Sequence, residues 1–207
     1  CLMLLLSWLP HVMGNDEAVV QRLSWLPALG LDVAFRLDGL GLLFALLITG
    51  IGCLILLYAR YYFAGSDTSA RFFTLILLFM AAMLGIVLSE NLLFLLVFWE
   101  LTSLVSFLLI GYHSHDHAAR LGARMSLVIT AGGGLALLGG VVLLGQAAGS
   151  HELSVVLEAG DRIRAHEHYG LMLNLILLGA FTKSAQFPFH LWLPHALTAP
   201  TPVSAYL

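Results

Sequence analysis

The sequence predicts an all-α protein whose helices form a polytopic transmembrane bundle, and three observations predict it. Of its 207 residues, 60% are hydrophobic and only 10% charged, where a soluble domain carries about 25% charged residues. The mean hydropathy is +0.95. The apolar residues also gather in runs of about 20, the length a helix needs to cross a hydrocarbon core of roughly 30 Å. So few charges cannot coat a water-soluble globule, which excludes a cytosolic enzyme and a disordered chain. A formal net charge of −3 leaves no basic footprint for nucleic acid.

Taken in order, 1–13 is apolar but too short to span, and reads as the tail of a truncated helix. The segment 14–37 is expected to be an extracytoplasmic loop. Five full spans follow, at 38–59, 72–89, 92–111, 122–145 and 169–190, forming a five-span bundle over 38–198. Residues 199–207 open a further, truncated helix. The chain starts with Cys1 and has no charged segment before its first apolar run, so a signal peptide is not expected and 207 residues read as a fragment's length. Neither Cys1 nor Cys53 has a CxxC or Cys/His partner spacing, and a structural disulfide is not expected.

Arginine sets the orientation. Loops 60–71 (Arg60, Arg71) and 112–124 (Arg120, Arg124) lean basic and fall on one side of an alternating topology, so they are placed in the cytoplasm. The 14–37 segment, Glu90 and 146–168 then lie outside. Within the fourth span, Gly132-Gly133-Gly134, Gly139-Gly140 and Gly145 allow close approach of a neighbouring helix.

Two charges fall inside spans, where each costs at least ~2.5–3.5 kcal/mol. Glu100 lies about nine residues into its span, ~13 Å deep at 1.5 Å per residue. Lys183, the chain's one lysine, lies about fourteen residues into the last span. A lone buried charge tends to neutralise, whereas opposite charges near one another hold each other ionised. A lysine poised between burial and a carboxylate partner can load and release a proton when that partner moves. The alternative is a structural ion pair that fixes helix register. Pro188 breaks the same span, and interrupted helices are tolerated at membrane depth where they line a cavity or are buried in protein. Carbonyls loosened by the break, with Thr182, Ser184 and Gln186, could hold water there.

These residues also carry a resemblance. Leu37-Asp38-Gly39-Leu40, Phe98-Trp99-Glu100, Ser106-Phe107-Leu108-Leu109-Ile110-Gly111-Tyr112, Lys183-Ser184-Ala185-Gln186-Phe187-Pro188 and Ala199-Pro200-Thr201-Pro202-Val203-Ser204-Ala205-Tyr206 follow in order. The chain resembles the antiporter-like membrane subunits shared by respiratory complex I and Mrp-type multisubunit Na⁺/H⁺ antiporters, from about Leu23 onward. Around Lys183 and Tyr206 it is most similar to the large A subunits of Mrp antiporters. The resemblance implies a glutamate and a lysine on neighbouring helices, matching Glu100 and Lys183. It also implies that this chain is the first half of an inverted-repeat transporter, lacking the first helix, most of the second and all that follows the broken seventh. His195 departs from the family, whose members often carry an acidic residue there.

Nine histidines invite a metal reading. His113, His115 and His117 form an HxHxH string and His166 and His168 flank Glu167, but the two groups fall on opposite sides of the membrane. No metal site and no cofactor are expected. His190, after the break, is a candidate proton relay.

The function expected is therefore that of a proton-translocating piece of a multisubunit Na⁺/H⁺ antiporter in the cell membrane, not an enzyme. Glu100, Lys183 and His190 would handle protons, with Thr182, Ser184, Gln186 and Pro188 shaping the break. Its partners would be other membrane subunits, protons, sodium ions and lipid. One alternative is a proton-pumping subunit of complex I or of a membrane hydrogenase. Another, from a different class, is a scaffold subunit that transports nothing.

Overall fold

A computed structural model describes residues 1–14, 18–26, 31–63 and 69–206. The elements are α1 (Leu2–Gly14), a hairpin of β1 (Val19–Leu26) and β2 (Leu31–Leu37), α2 (Gly39–Tyr62), α3 (Ser69–Val87), α4 (Leu92–Ile110), α5 (His117–Ala148), α6 (Leu153–Glu158), α7 (Gly160–Arg164), α8 (Tyr169–Lys183), a 3₁₀ turn (Phe189–Leu191), α9 (Trp192–Ala196) and α10 (Thr201–Ser204).

Three of the long helices start at caps visible in the sequence. Asp38 Oδ1 accepts from Gly41 N–H at 2.7 Å. Asn91 Oδ1 accepts from Leu93 and Phe94, and Asp116 Oδ1 from Ala118. Each satisfies donors that the first turn leaves unpaired. Helix α5 stops at Gly149, whose φ of 78° is a left-handed conformation natural to glycine.

Among the described residues four helices, α2 to α5, are long and apolar enough to cross a membrane. The fifth span, 169–190, is broken as expected but earlier: α8 ends at Lys183 after 15 residues, only ~22 Å. The break falls five residues ahead of Pro188. At 32 residues, α5 is ~48 Å long and overshoots the hydrocarbon core.

The packing inverts the soluble pattern. Helix α2 buries mostly small residues, Gly41, Ala45, Thr49, Gly52 and Ala59 beside Leu42 and Ile55, and exposes Leu43, Leu47, Leu54 and Leu57. In lipid, large aliphatic side chains gain nothing by turning inward, while small ones let backbones approach. Helix α5 does the same, burying Gly122, Ser126, Thr130, Gly133, Gly134 and Gly140 against α4, α8 and α9.

At one end of the bundle the hairpin, the α3–α4 turn and the α5–α6 junction form a mesh. Arg36 N–H donates to Leu88 O at 2.8 Å, Glu90 N–H to Ala34 O at 2.9 Å, Leu92 N–H to His151 O at 2.9 Å and Leu153 N–H to Glu90 O at 2.7 Å. The segments that the arginine pattern assigns to one side thus meet at one end. Glu90 is completely buried there. Its carboxylate accepts from Ser154 N–H at 3.1 Å and from the Ser154 hydroxyl, and its other oxygen lies 3.5 Å from Arg36 Nη1. Arg36→Gln leaves a buried carboxylate without its cation, a change that typically costs about 3–5 kcal/mol. Thermal unfolding of the full-length protein should show a clearly lowered midpoint, and an unchanged midpoint would mean the pair contributes no stability.

Candidate functional site

Lys183 is the last residue of α8, and its side chain reaches α4. Its Nζ donates to Ser103 Oγ at 2.8 Å and to Trp99 O at 3.3 Å, and stands 5.4 Å from the centre of the Trp99 ring. An ammonium over an indole face gains a cation–π attraction in addition. Beside it is a cavity of about 200 Å³ lined by Trp99, Thr102, Ser106, Thr130, Trp192 and Tyr206, with apolar walls from α3. At ~30 Å³ per molecule, that is room for several waters. The hydroxyls of Thr102, Ser106 and Thr130 donate back to their own helices, to Trp99 O, Ser103 O and Ser126 O. Their lone pairs remain able to accept. Two of the ammonium's three N–H groups have protein acceptors, and the third is left for the cavity.

Glu100 is near enough to Lys183 for the two charges to interact, without pairing directly. It is exposed and makes no ion pair with Lys183 within 4 Å. Its carboxylate lies across Gly134 of α5, while Thr182 lies across the adjacent Gly133, and a Cβ on either glycine would overlap these groups. Glu100 and Thr182 thus meet α5 at adjacent glycines, and the charges of Glu100 and Lys183 act on one another there.

The break itself is closed rather than loose. Ala180 O accepts from Ser184 N–H and from the Ser184 hydroxyl, Phe181 O from Gln186 N–H, and Thr182 O from the indole N–H of Trp192 at 2.9 Å. Thr182 Oγ1 donates to Gly179 O at 2.8 Å. The carbonyls expected to hold water are therefore occupied by protein donors, because unpaired ones are costly away from water. Ala185 sits at φ 52°, a left-handed conformation unfavourable to a residue with a Cβ, and turns the chain outward. Gln186, Phe187, Pro188 and His190 consequently lie on the exterior. His190 stacks on Phe187 with ring centres 5.8 Å apart, not in the cavity. His195 is also exposed, with its backbone against Gly122.

Sequence reasoning missed Ser103, Trp99, Thr130, Trp192 and Tyr206. Tyr206 donates to Ile48 O at 2.9 Å, in the space left by Gly52. Trp99 and Tyr206 stand inside the motifs that carry the resemblance, but nothing in the pattern says that their helices meet at Lys183. Trp192→Phe removes the shorter of two hydrogen bonds to Thr182 O, leaving that from Ala185 N–H at 3.4 Å, and is expected to destabilise by about 0.5–1.5 kcal/mol, read as a lower unfolding midpoint. No shift would mean another donor replaces the indole. The loop histidines form no group able to hold a metal among the described residues.

Residues 89–207, more than half of the chain, match the family described as NADH:quinone oxidoreductase/Mrp antiporter, TM. The chain belongs to this family. Residues 25–73 match a second model, described as NADH-Ubiquinone oxidoreductase (complex I), chain 5 N-terminus. The chain is 56% identical over its whole length to the probable A/B subunit of a K(+)/H(+) antiporter from Rhizobium meliloti, covering 21% of that protein. It is 49% identical over 193 residues, 93% of its length, to the A1 subunit of a Na(+)/H(+) antiporter from Staphylococcus aureus, covering 24% of that protein. It resembles a chain in the structure of the Mrp complex from a Dietzia species, with a TM-score of 0.87 and 37% identity over 99% of this chain and 22% of that one. It therefore spans between a fifth and a quarter of these relatives. With its membrane-length helices, this member of the family is a multi-pass membrane protein.

Proposed function

We propose that this chain is the proton-handling first part of an A-type subunit in a multisubunit monovalent cation/proton antiporter of the plasma membrane, and that Lys183 carries the proton. The observation that supports this best is one ammonium at the end of a broken helix, held by a hydroxyl and a carbonyl beside a cavity of water-holding size. In this arrangement Lys183 is charged and bonded to α4. Loss of a proton from Nζ to a cavity water leaves the neutral amine, and a return proton restores the ammonium. Glu100, at the Gly133–Gly134 step, biases that exchange electrostatically. A movement of α8 along α5 changes the Glu100–Lys183 separation and with it the ammonium's stability. Thr182, Ser184, Gln186 and Pro188 shape the end of α8 that would make this movement, and His190 serves on its outer surface.

The relatives are named for different cations, potassium in one and sodium in the other, so the cation proposed is monovalent without restriction to sodium. The remaining subunits of the complex are the proposed partners. A second reading, a respiratory proton-pumping subunit, is favoured by the complex I description of the model matching residues 25–73. Reconstituting the full-length complex in liposomes under an imposed pH gradient tests the two. Sodium- or potassium-dependent proton flux without any electron donor supports the antiporter. Flux seen only with quinone-coupled electron transfer overturns it. Glu100→Gln separates both from a scaffold, which would assemble and leave transport at the wild-type rate.

A further inference from the structure

We propose that Arg71, Arg120 and Arg124 form a binding site for the phosphate of an anionic phospholipid headgroup at the end of the bundle opposite the hairpin. The three side chains, from the first turn of α3 and the first two turns of α5, line one cavity of about 240 Å³ together with Ser114, Phe107 and Leu108. Among the described residues none of the three has a carboxylate partner. At the other end, Arg22 pairs with Glu152 at 2.8 Å, Arg36 with Asp38 at 3.1 Å and with Glu90, and Arg164 with Asp161 at 3.8 Å. Three of the four arginines at that end thus have carboxylate partners, Arg162 being the exception, whereas the three around this cavity have none among the described residues.

The cluster is built into the fold. The Arg71 guanidinium lies 5.5 Å from the centre of the Tyr112 ring, and Arg120 Nη1 donates to Ser114 O at 2.9 Å. These contacts orient two planar forks and leave most of their donors free for phosphate oxygens. The one described acid beside them, Asp116, uses an oxygen to cap Ala118 N–H at 3.0 Å.

Depth selects a lipid. Helix α5, ~48 Å long, exceeds a hydrocarbon core of roughly 30 Å, and its first turns, which carry Arg120 and Arg124, are the part suited to headgroup level. Phe107 and Leu108, near the end of α4, supply apolar wall on the membrane side of the arginines for the start of an acyl chain. By the arginine asymmetry this end faces the cytoplasm, where anionic lipid attracts basic groups at about a fivefold gain in affinity for each.

Native mass spectrometry of the full-length complex in mild detergent, titrated with phosphatidylglycerol or phosphatidylcholine, tests this. Phosphatidylglycerol should be retained and phosphatidylcholine lost. Each of Arg71→Gln, Arg120→Gln and Arg124→Gln should weaken retention about fivefold, and the triple variant about 100-fold. The single variants Arg71→Lys and Arg124→Lys, which keep the charge, should retain more lipid than their glutamine counterparts. Equal retention of both lipids, or unchanged retention in a triple variant that still assembles, overturns the proposal. Displacement of bound phosphatidylglycerol by millimolar inorganic phosphate assigns the site to free phosphate and overturns the lipid.

Discussion

Lys183→Ala in the full-length protein is expected to reduce cation/proton antiport in membrane vesicles to that of cells without the complex, a loss of at least about 100-fold. Lys183 is the one lysine in the chain, and no other basic group among the described residues lines its cavity. Removing it takes the donor from Ser103 Oγ and Trp99 O, but Ser103 retains its own contact with Trp99 O at 3.3 Å. The variant should therefore assemble. Lys183→Arg makes the sharper test, because arginine keeps a positive charge and its donors yet does not release a proton in proteins. If Lys183 carries a proton, the arginine variant assembles and fails to transport. If its charge only fixes helix register, that variant transports near the wild-type rate, and the proton-carrying role is wrong.

Gly133→Val is expected to be nearly as damaging, for a reason of packing. A Cβ at Gly133 overlaps Thr182 at its hydroxyl, Cβ and methyl, and Thr182 is itself buried and tied to Gly179 O. Neither helix can yield locally, so α5 and α8 must separate at a cost of about 1–3 kcal/mol or more. Unfolding of the assembled complex should begin at lower temperature, and antiport should fall with it because the end of α8 holds Lys183. Gly134→Ala gives the contrast. Its methyl group meets chiefly the Glu100 carboxylate, at the free end of a flexible side chain. Stability should be close to wild type while Glu100 is displaced. Wild-type antiport in that variant would show that the position of Glu100 is immaterial.

Much of this was legible in the sequence, and the rest was hidden for identifiable reasons. The caps at Asp38, Asn91 and Asp116 and the membrane-length helices follow from local chemistry and from runs of apolar residues. Lys183 stood out as a charge inside such a run. The break is expected at Pro188 because proline is the visible helix breaker, yet α8 ends at Lys183, where donors distant in sequence close its carbonyls. Trp192, ten residues beyond Thr182, supplies one of them. Glu90 reads as a loop acid because its neighbours are polar. Its burial depends on Arg36 and Ser154, 54 and 64 positions away, which no local pattern reports.

By itself the sequence determined that this chain lives in a membrane and which two charges are exceptional, because bilayer thickness and desolvation act on residues close together along the chain. Only the tertiary structure decided what those charges face. It set Lys183 against Ser103 and Trp99 and put Glu100 against Gly134. It turned His190 outward and left three arginines around one cavity. Those outcomes depend on which helices pack together and at which small residues, and such contacts join positions tens of residues apart.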